Sequence, residues 1–119
     1  MSRYEPLRVD HATGDAVLRQ ALERRPATPH PHSTVIALAL HDDDPAFVEG
    51  WCLRLGREAP DAAMRAVAAL GIGYLARRFG TVTPEAGELV RELARDKALR
   101  ATHSQLVEDA IRLLERSDR

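Results

Sequence analysis

The hydrophobic pattern of this chain is clearest between Asp61 and Gly80, in the stretch DAAMRAVAALGIGYLARRFG. No charged residue lies between Arg65 and Arg77, and apolar residues recur there at spacings of three and four, the period of an α-helix. One face contains Met64, Val67, Ala68, Gly71, Leu75 and Phe79. The opposite face is also apolar but small, so the pattern predicts a central helix with other helices packed on both flanks.

The length of this segment and its glycines refine the prediction. Its uncharged part is well short of the roughly 20 residues that cross a bilayer, so we expect burial in protein rather than in lipid. Gly71 and Gly73 each cost about 1 kcal/mol of helix propensity relative to alanine. That cost is tolerable if the missing side chains let a neighbouring backbone come close, so we expect tight helix packing here.

Three helices are predicted before the central one, and residues 1–12 are left open as a short turn or arm. The first helix has Thr13 or Asp15 as its N-cap and ends before the proline-rich segment RRPATPHPH, which is linker-like. The second begins at Ser33 with the apolar run TVIALAL, which is so short that a buried strand is the alternative. The third has the strongest start signal, because Asp44 offers a capping carboxylate and a proline follows it.

Two more helices follow the central one, which is predicted to end with Gly80 as its C-cap. Thr83, again followed by proline, starts the first of them. A loop over 96–100 leads to the last helix, which begins at Thr102 or Ser104. The chain is therefore predicted to be all-α, with about six helices.

The composition indicates one helical domain over residues 1–119. Hydrophobic residues make up 45% of the chain and aromatic residues only 4%, so the core must consist of Ala, Leu and Val, as in close-packed helices. The single cysteine excludes an intrachain disulfide, and the first residues lack the apolar run of a signal peptide, so we expect a cytoplasmic location. A net charge of −1 gives no overall field that attracts nucleic acid or an anionic membrane. We expect neither as a direct partner, and any partner must recognise a local patch.

Residue types suited to catalysis or metal binding do not form a recognisable site. His30 and His32 offer only two donors in a proline-rich loop, too few for a metal. Cys52 lies on the inward face of its helix, where a small buried side chain is expected, and no histidine accompanies it at a catalytic spacing. An enzyme that uses His41 or His103 in a cleft is the remaining catalytic alternative. We expect no catalytic residue, no metal and no cofactor.

The sharpest exposed feature is the acidic run Asp42, Asp43 and Asp44, with Glu49 about one turn into the following helix. One aspartate suffices as an N-cap, so the other two are surplus to that role. Crowded carboxylates repel one another unless a cationic partner gains from them. A capped, solvated turn is the alternative. We predict that Asp42, Asp43, Asp44 and Glu49 belong to an acidic partner-binding surface.

One segment resembles the HEAT-type helical repeat. The matching positions follow the order D-x-x-(V/M)-R-x-x-A-x-L-G and are Asp61, Met64, Arg65, Ala68, Leu70 and Gly71. The resemblance implies antiparallel helical hairpins stacked as a short solenoid, with Arg65 bonding back across the turn. The preceding hairpin departs from the pattern, because Glu49 stands where the repeat has arginine. A closed bundle is the structural alternative.

Taken whole, the chain resembles small bacterial immunity proteins of HEAT-like fold. The resemblance rests on HDDD at 41–44, FVEGWCLRL at 47–55, AVAALGIGYLARRFG at 66–80 and VEDAIRLL at 107–114. Such proteins are encoded beside polymorphic toxins, including those of contact-dependent growth inhibition, and neutralise them by stoichiometric binding. The resemblance implies a 1:1 complex between a monomer of this chain and a cognate C-terminal toxin domain, with a nuclease as the expected class. A helical-repeat adaptor or scaffold, or a fragment resembling the repeat-bearing phycobilin lyases, is the alternative.

Overall fold

A computed structural model describes residues 8–24 and 30–117, so the predicted arm before Arg8 and most of the proline-rich segment lie outside the described residues. Within the described ranges the chain forms α-helices and no β-strand. The helices are α1 (His11–Leu22), α2 (Pro31–His41), α3 (Pro45–Glu58), α4 (Ala62–Phe79), α5 (Pro84–Arg95), α6 (Lys97–Thr102) and α7 (Ser104–Ser117). The all-α prediction is confirmed, and α2 is a helix rather than the alternative strand.

The helices pair into hairpins that stack side by side. α1 packs on α2, α3 on α4 and α5 on α7, while the short α6 joins the last pair. Along the stack, α1, α3 and α5 form one layer, and α2, α4 and α7 form the other. Within the described residues, the backbones of the first and third hairpins do not approach each other. The hairpins therefore form an open stack and not a closed bundle.

Helix α4 lies at the centre of the stack, as its apolar pattern predicts. It packs against every other described helix except α1, and its residues 66–73 are all buried. A Cβ on Gly73 would lie 3.2 Å from both the Cα and the carbonyl oxygen of Ala110 in α7, so the expected close backbone approach is confirmed. At Gly71 side chains fill the space instead, since a Cβ would lie 2.8 Å from Cys52 Sγ and 3.2 Å from Val35 Cγ1.

Local capping signals determine several helix ends. Asp44 Oδ1 accepts a hydrogen bond from the Phe47 backbone N–H at 3.1 Å, and Thr83 Oγ1 accepts one from Ala86 at 3.2 Å. Gly80 ends α4 with a φ of 80°, which glycine adopts at no steric cost. The predicted starts of α3 and α5 and the predicted end of α4 are confirmed.

Helix α1 begins earlier than predicted, with Asp10 as its N-cap. The Asp10 carboxylate accepts hydrogen bonds from the backbone N–H and the hydroxyl of Thr13, both at 2.9 Å. Thr13 and Asp15, the predicted caps, therefore lie inside the helix. Asp15 instead accepts a hydrogen bond from the indole of Trp51 in α3 at 3.1 Å.

Helix α2 also starts before its predicted cap. His30 is the N-cap, and its Nδ1 accepts a hydrogen bond from the His32 backbone N–H at 3.2 Å. Pro31 occupies the first helical position, where its missing N–H is not needed. Ser33 therefore lies within the first turn.

Two predictions in the second half of the chain are wrong. Residues 96–100 are not a loop, because Asp96 caps α6 by accepting hydrogen bonds from the backbone N–H groups of Ala98 and Leu99. The described residues thus contain seven helices. Phe79, placed by its spacing on an apolar face of the central helix, is 39% exposed, and its neighbours Arg77 and Gly80 are exposed as well.

The turn between α3 and α4 contains the hydrogen bond that the HEAT resemblance implies. The guanidinium of Arg65 donates to the carbonyl oxygen of Ala59 at 3.5 Å, which satisfies a carbonyl at the end of α3. Asp61 is the N-cap residue of α4 but makes no capping hydrogen bond with its side chain. The stacked-hairpin architecture is observed, and its assignment to HEAT repeats stays a prediction.

Candidate interaction surface

The acidic run forms the turn between α2 and α3, where its three carboxylates have different surroundings. Asp42 Oδ1 accepts a hydrogen bond from the Asp44 backbone N–H at 2.8 Å, and Asp42 Oδ2 lies 3.3 Å from Nδ1 of His11. The Asp42 side chain is only 8% exposed, and Asp44 caps α3. The turn thus uses two aspartates, so the inference that a single capping carboxylate leaves the other two surplus is wrong for Asp42.

Asp43 is the carboxylate that the turn leaves in solvent. Its side chain is 98% exposed, and its contact with the Arg78 guanidinium is long, at 3.9 Å. Arg78 instead donates to the backbone carbonyl oxygens of Ala39 at 2.8 Å and Asp42 at 2.9 Å. Arg78 therefore ties the end of α4 to the backbone of the acidic turn, while the Asp43 side chain stays exposed to solvent.

Glu49 lies one turn into α3 and connects that helix to the α4–α5 connection. Its carboxylate accepts hydrogen bonds from the hydroxyl of Thr83 and from the Thr83 backbone N–H, the latter at 3.4 Å. Because Thr83 is also the N-cap of α5, Glu49 positions the start of that helix. Glu49 is half-buried.

An open groove of about 500 Å³ lies beside the acidic turn, between the first half of α3 and the α4–α5 connection. We call it the α3 groove. Its apolar lining includes Ala46, Gly50 and Leu53 on one wall and Phe79 and Val82 on the other. Glu49 and Glu85 supply carboxylates at its edges, and Glu85 also pairs with Arg57 at 2.7 Å. An apolar groove with charged edges is the surface type that marks protein–protein contacts.

Phe79 is the one exposed large hydrophobic residue in the described part of the chain. The guanidinium carbon of Arg78 lies 4.7 Å from the centre of its ring, a cation–π arrangement that orients the ring at the groove wall. The exposed ring and the acidic turn are therefore joined through one arginine.

Cys52 and its neighbour Trp51 lie in the core. Burial, and secondarily the charge of Glu49, raises the pKa of the Cys52 thiol to about 12, and the side chain is buried as predicted. Trp51 is 7% exposed, and hydrogen bonds from Arg19 and then Trp51 lower the pKa of Asp15. Neither Cys52 nor Trp51 reaches the α3 groove.

His30 and His32 lie at the other end of α2 from the acidic turn. His32 Nε2 is 3.6 Å from a carboxylate oxygen of Asp61, and the rings of His30 and His32 meet edge to face at 4.8 Å. Burial and the neighbouring His30 lower the pKa of His32. Across residues 8–24 and 30–117, no three histidine, cysteine or carboxylate side chains converge as a metal ion requires.

Comparisons of the chain with protein-family models, with curated proteins and with solved structures gave no match. None of the helices within the described ranges combines the length and the apolarity needed to cross a membrane.

Sequence reasoning missed how the site is assembled. His11, Arg78 and Thr83 are far in sequence from the acidic residues they contact, and no local pattern links them. One feature of the sequence could have indicated the groove. Gly50 lies on the outward face of a predicted helix, where a polar side chain is usual. The structure brings Asp42, Asp43 and Asp44 together at one turn and places Glu49 beside the groove.

Proposed function

We propose that this chain is a cytoplasmic immunity protein that binds a cognate toxin domain in a 1:1 complex and thereby neutralises it. The observation that carries the proposal is the position of the exposed Asp43 next to an open apolar groove with carboxylate edges. Apolar surface supplies affinity, and like charges around it select a partner of opposite sign. The surface therefore suits a cationic protein.

The resemblance to immunity proteins supplies the class of that partner. A nuclease holds its phosphate backbone with Lys and Arg side chains, so its substrate groove offers the positive charge that the acidic surface of this chain complements. Binding there would exclude nucleic acid by occupying the same charges. The proposal asks for no chemical step by this chain, only for a tight and selective contact.

The test is co-expression with the protein encoded immediately upstream, followed by mass measurement of the complex and a growth assay. A 1:1 complex that rescues cells from a lethal neighbour supports the proposal. A stable monomer that neither binds nor rescues contradicts it and favours the helical-repeat adaptor.

A charge reversal locates the contact. Asp43→Lys removes an exposed carboxylate that makes no short hydrogen bond, so the fold should tolerate it. We expect slower association with the toxin and weaker salt dependence. Glu108→Lys is the matched control, because it changes net charge equally at an exposed position on α7. Equal association rates for the two variants would remove the acidic turn from the interface.

A further inference from the structure

The α3 groove lies along a side of α3 that no other described helix covers, although the end of α3 packs tightly on α5. At Gly56 the helices are in tight contact, since a Cβ there would lie 2.7 Å from Cδ2 of Leu89. Six residues earlier, on a different side of α3, a Cβ on Gly50 would meet nothing within 4 Å. The first half of α3 therefore keeps an open side at the groove, next to the acidic turn.

Gly50 is a helix-interior glycine for which the fold has no use. Gly14, Gly56 and Gly71 each lie where a Cβ would come within 3 Å of a core side chain, and Gly73 lies against the backbone of α7. Gly50 has neither a close neighbour nor a positive φ. An exposed glycine inside a helix costs about 0.5–1 kcal/mol relative to alanine. A binding partner would explain this cost, because the absence of a side chain at Gly50 lets another protein come close to the α3 backbone.

The wall that contains Gly50 is shaped for another helix. Ala46, Gly50 and Leu53 have the spacing i, i+4, i+7 and line the groove along α3. Two small residues let a partner backbone come near, and Leu53 and Phe79 supply apolar contact on either side. This is the groove type that receives the apolar face of an amphipathic helix.

The charges at the edges of the groove favour a partner helix of positive charge. Glu49 and Glu85 line the groove, and Asp43 and Asp44 lie where α3 begins. Two nearby cations offset part of this charge, since Arg57 pairs with Glu85 at 2.7 Å and the Arg78 guanidinium lies 3.9 Å from Asp43. A surplus of negative charge remains for a partner.

We propose that the α3 groove takes a cationic amphipathic helix of the partner protein, with an apolar side chain over Gly50 and Lys or Arg side chains against Glu49 and Asp43. This inference rests on the proposed function for the statement that the helix belongs to a toxin. The helix-in-groove contact itself depends only on the geometry of α3 and the charges around it.

The probe is a synthetic helical peptide of about 14 residues, near the minimum length for a helix in water, with leucine on one face and lysine on the other. Its counterpart has glutamate in place of every lysine. Binding to the ¹⁵N-labelled chain is followed by backbone amide shifts. We expect shifts confined to the first half of α3, Phe79 and Val82, with the lysine peptide alone.

Two variants of one residue separate docking from stability. Gly50→Met fills the groove and should weaken binding of the lysine peptide by about tenfold or more, as loss of a central contact does. Gly50→Ala should retain binding. Neither variant should unfold more easily than the wild type, because both residues favour the helix over glycine.

Each outcome decides the inference. Shifts elsewhere on the surface, equal binding of the glutamate peptide, or unchanged affinity in Gly50→Met would overturn it. If the lysine peptide does not bind while the toxin complex forms, the toxin must contact another face of this chain and the inference is wrong. Peptide binding without any toxin complex would keep the groove as a docking site and contradict only the proposed function.

Discussion

The contact between Gly71 and Cys52 predicts a strong energetic coupling between two core positions. Gly71 lies in the middle of α4, where the absent Cβ leaves room for the sulfur of Cys52 in α3. In Gly71→Ala the new Cβ would lie 2.8 Å from that sulfur and 3.2 Å from Val35 Cγ1. The first distance is shorter than real Cβ contacts, so α3 or the thiol must move.

The magnitudes follow from packing and helix propensity. Overpacking a core costs about 1–3 kcal/mol of stability, and alanine recovers about 1 kcal/mol of helix propensity over glycine. The free energy of unfolding of Gly71→Ala should therefore fall by about 0–2 kcal/mol. Cys52→Ala deletes one buried heavy atom and should lose about 1 kcal/mol, like removal of a methylene. In the double variant the new Cβ enters the space that the sulfur leaves. We expect it to be more stable than the sum of the single losses by about 1 kcal/mol or more.

Urea unfolding followed by circular dichroism measures the free energy of unfolding of the wild type, the two single variants and the double variant. These four values form a double-mutant cycle, and equal m-values are required for their comparison. Gly50→Ala combined with Cys52→Ala is the matched control. A Cβ on Gly50 meets nothing within 4 Å, so this variant should gain about 0.5–1 kcal/mol and add to Cys52→Ala without coupling. Additive losses for Gly71→Ala and Cys52→Ala would refute the packing argument.

Three further predictions concern Arg78, Asp15 and His32, whose side chains make contacts between helices of the stack. Arg78→Met should lower the free energy of unfolding in urea by about 1.5–3 kcal/mol, because it leaves two carbonyls at the end of α2 without their charged donor. In the control Arg77→Met, at an exposed neighbouring position, the free energy of unfolding should change by no more than about 0.5 kcal/mol. Equal losses in the two variants would contradict the prediction. The lowered pKa of Asp15 gives stability that is present above its usual value of 3.8 and is lost as the pH falls through the folded-state pKa. Trp51→Phe, measured by thermal unfolding against pH, should reduce this acid sensitivity, and an unchanged profile would show that the indole has no part in it. The pKa of His32 is lowered below 6.5 in the folded chain, so the unfolded chain takes up a proton first and stability falls as the pH drops below that value. His32→Asn should flatten this dependence of stability on pH, measured by thermal unfolding. An equal dependence in the variant would assign it to other groups.

The helix pattern could be predicted where the deciding signals are local. Asp44 before proline, Thr83 before proline and Gly80 after a long apolar run each determine a helix end within a few residues. The start of α1 could not be predicted this way, because Asp10 and Asp15 are equally good acceptors in sequence. The structure decides between them through a long-range contact, since the Trp51 indole binds Asp15.

The short helix α6 shows a different limit. Its six residues bury only Leu99, and one buried residue gives no period to detect. Its start depends on Asp96, which also follows the last residue of α5. A residue that both ends one helix and caps the next gives a mixed signal, which favours a loop in a sequence-based prediction.

The acidic surface was predictable as a set of residues but not as an arrangement. The sequence shows four carboxylates close together, and charge alone makes them equivalent. Their separate roles come from His11, Arg78 and Thr83, which the hairpin stack brings to the turn. Tertiary contacts therefore decide which of these carboxylates remains for a partner.

The contacts of each surface residue separate positions that stabilise the fold from positions that are open to the proposed partner. Asp42 and Asp44 stabilise the turn and Glu49 accepts hydrogen bonds from Thr83, so substitutions there would perturb the fold as well as any contact with the proposed partner. Asp43 is almost fully exposed, and Gly50 has empty space where its side chain would be. These two positions give the fold little or nothing, and Asp43 adds like charge while Gly50 lowers helix stability. Both lie at the same end of α3, one at the acidic turn and one in the apolar groove, so a single partner helix can contact both.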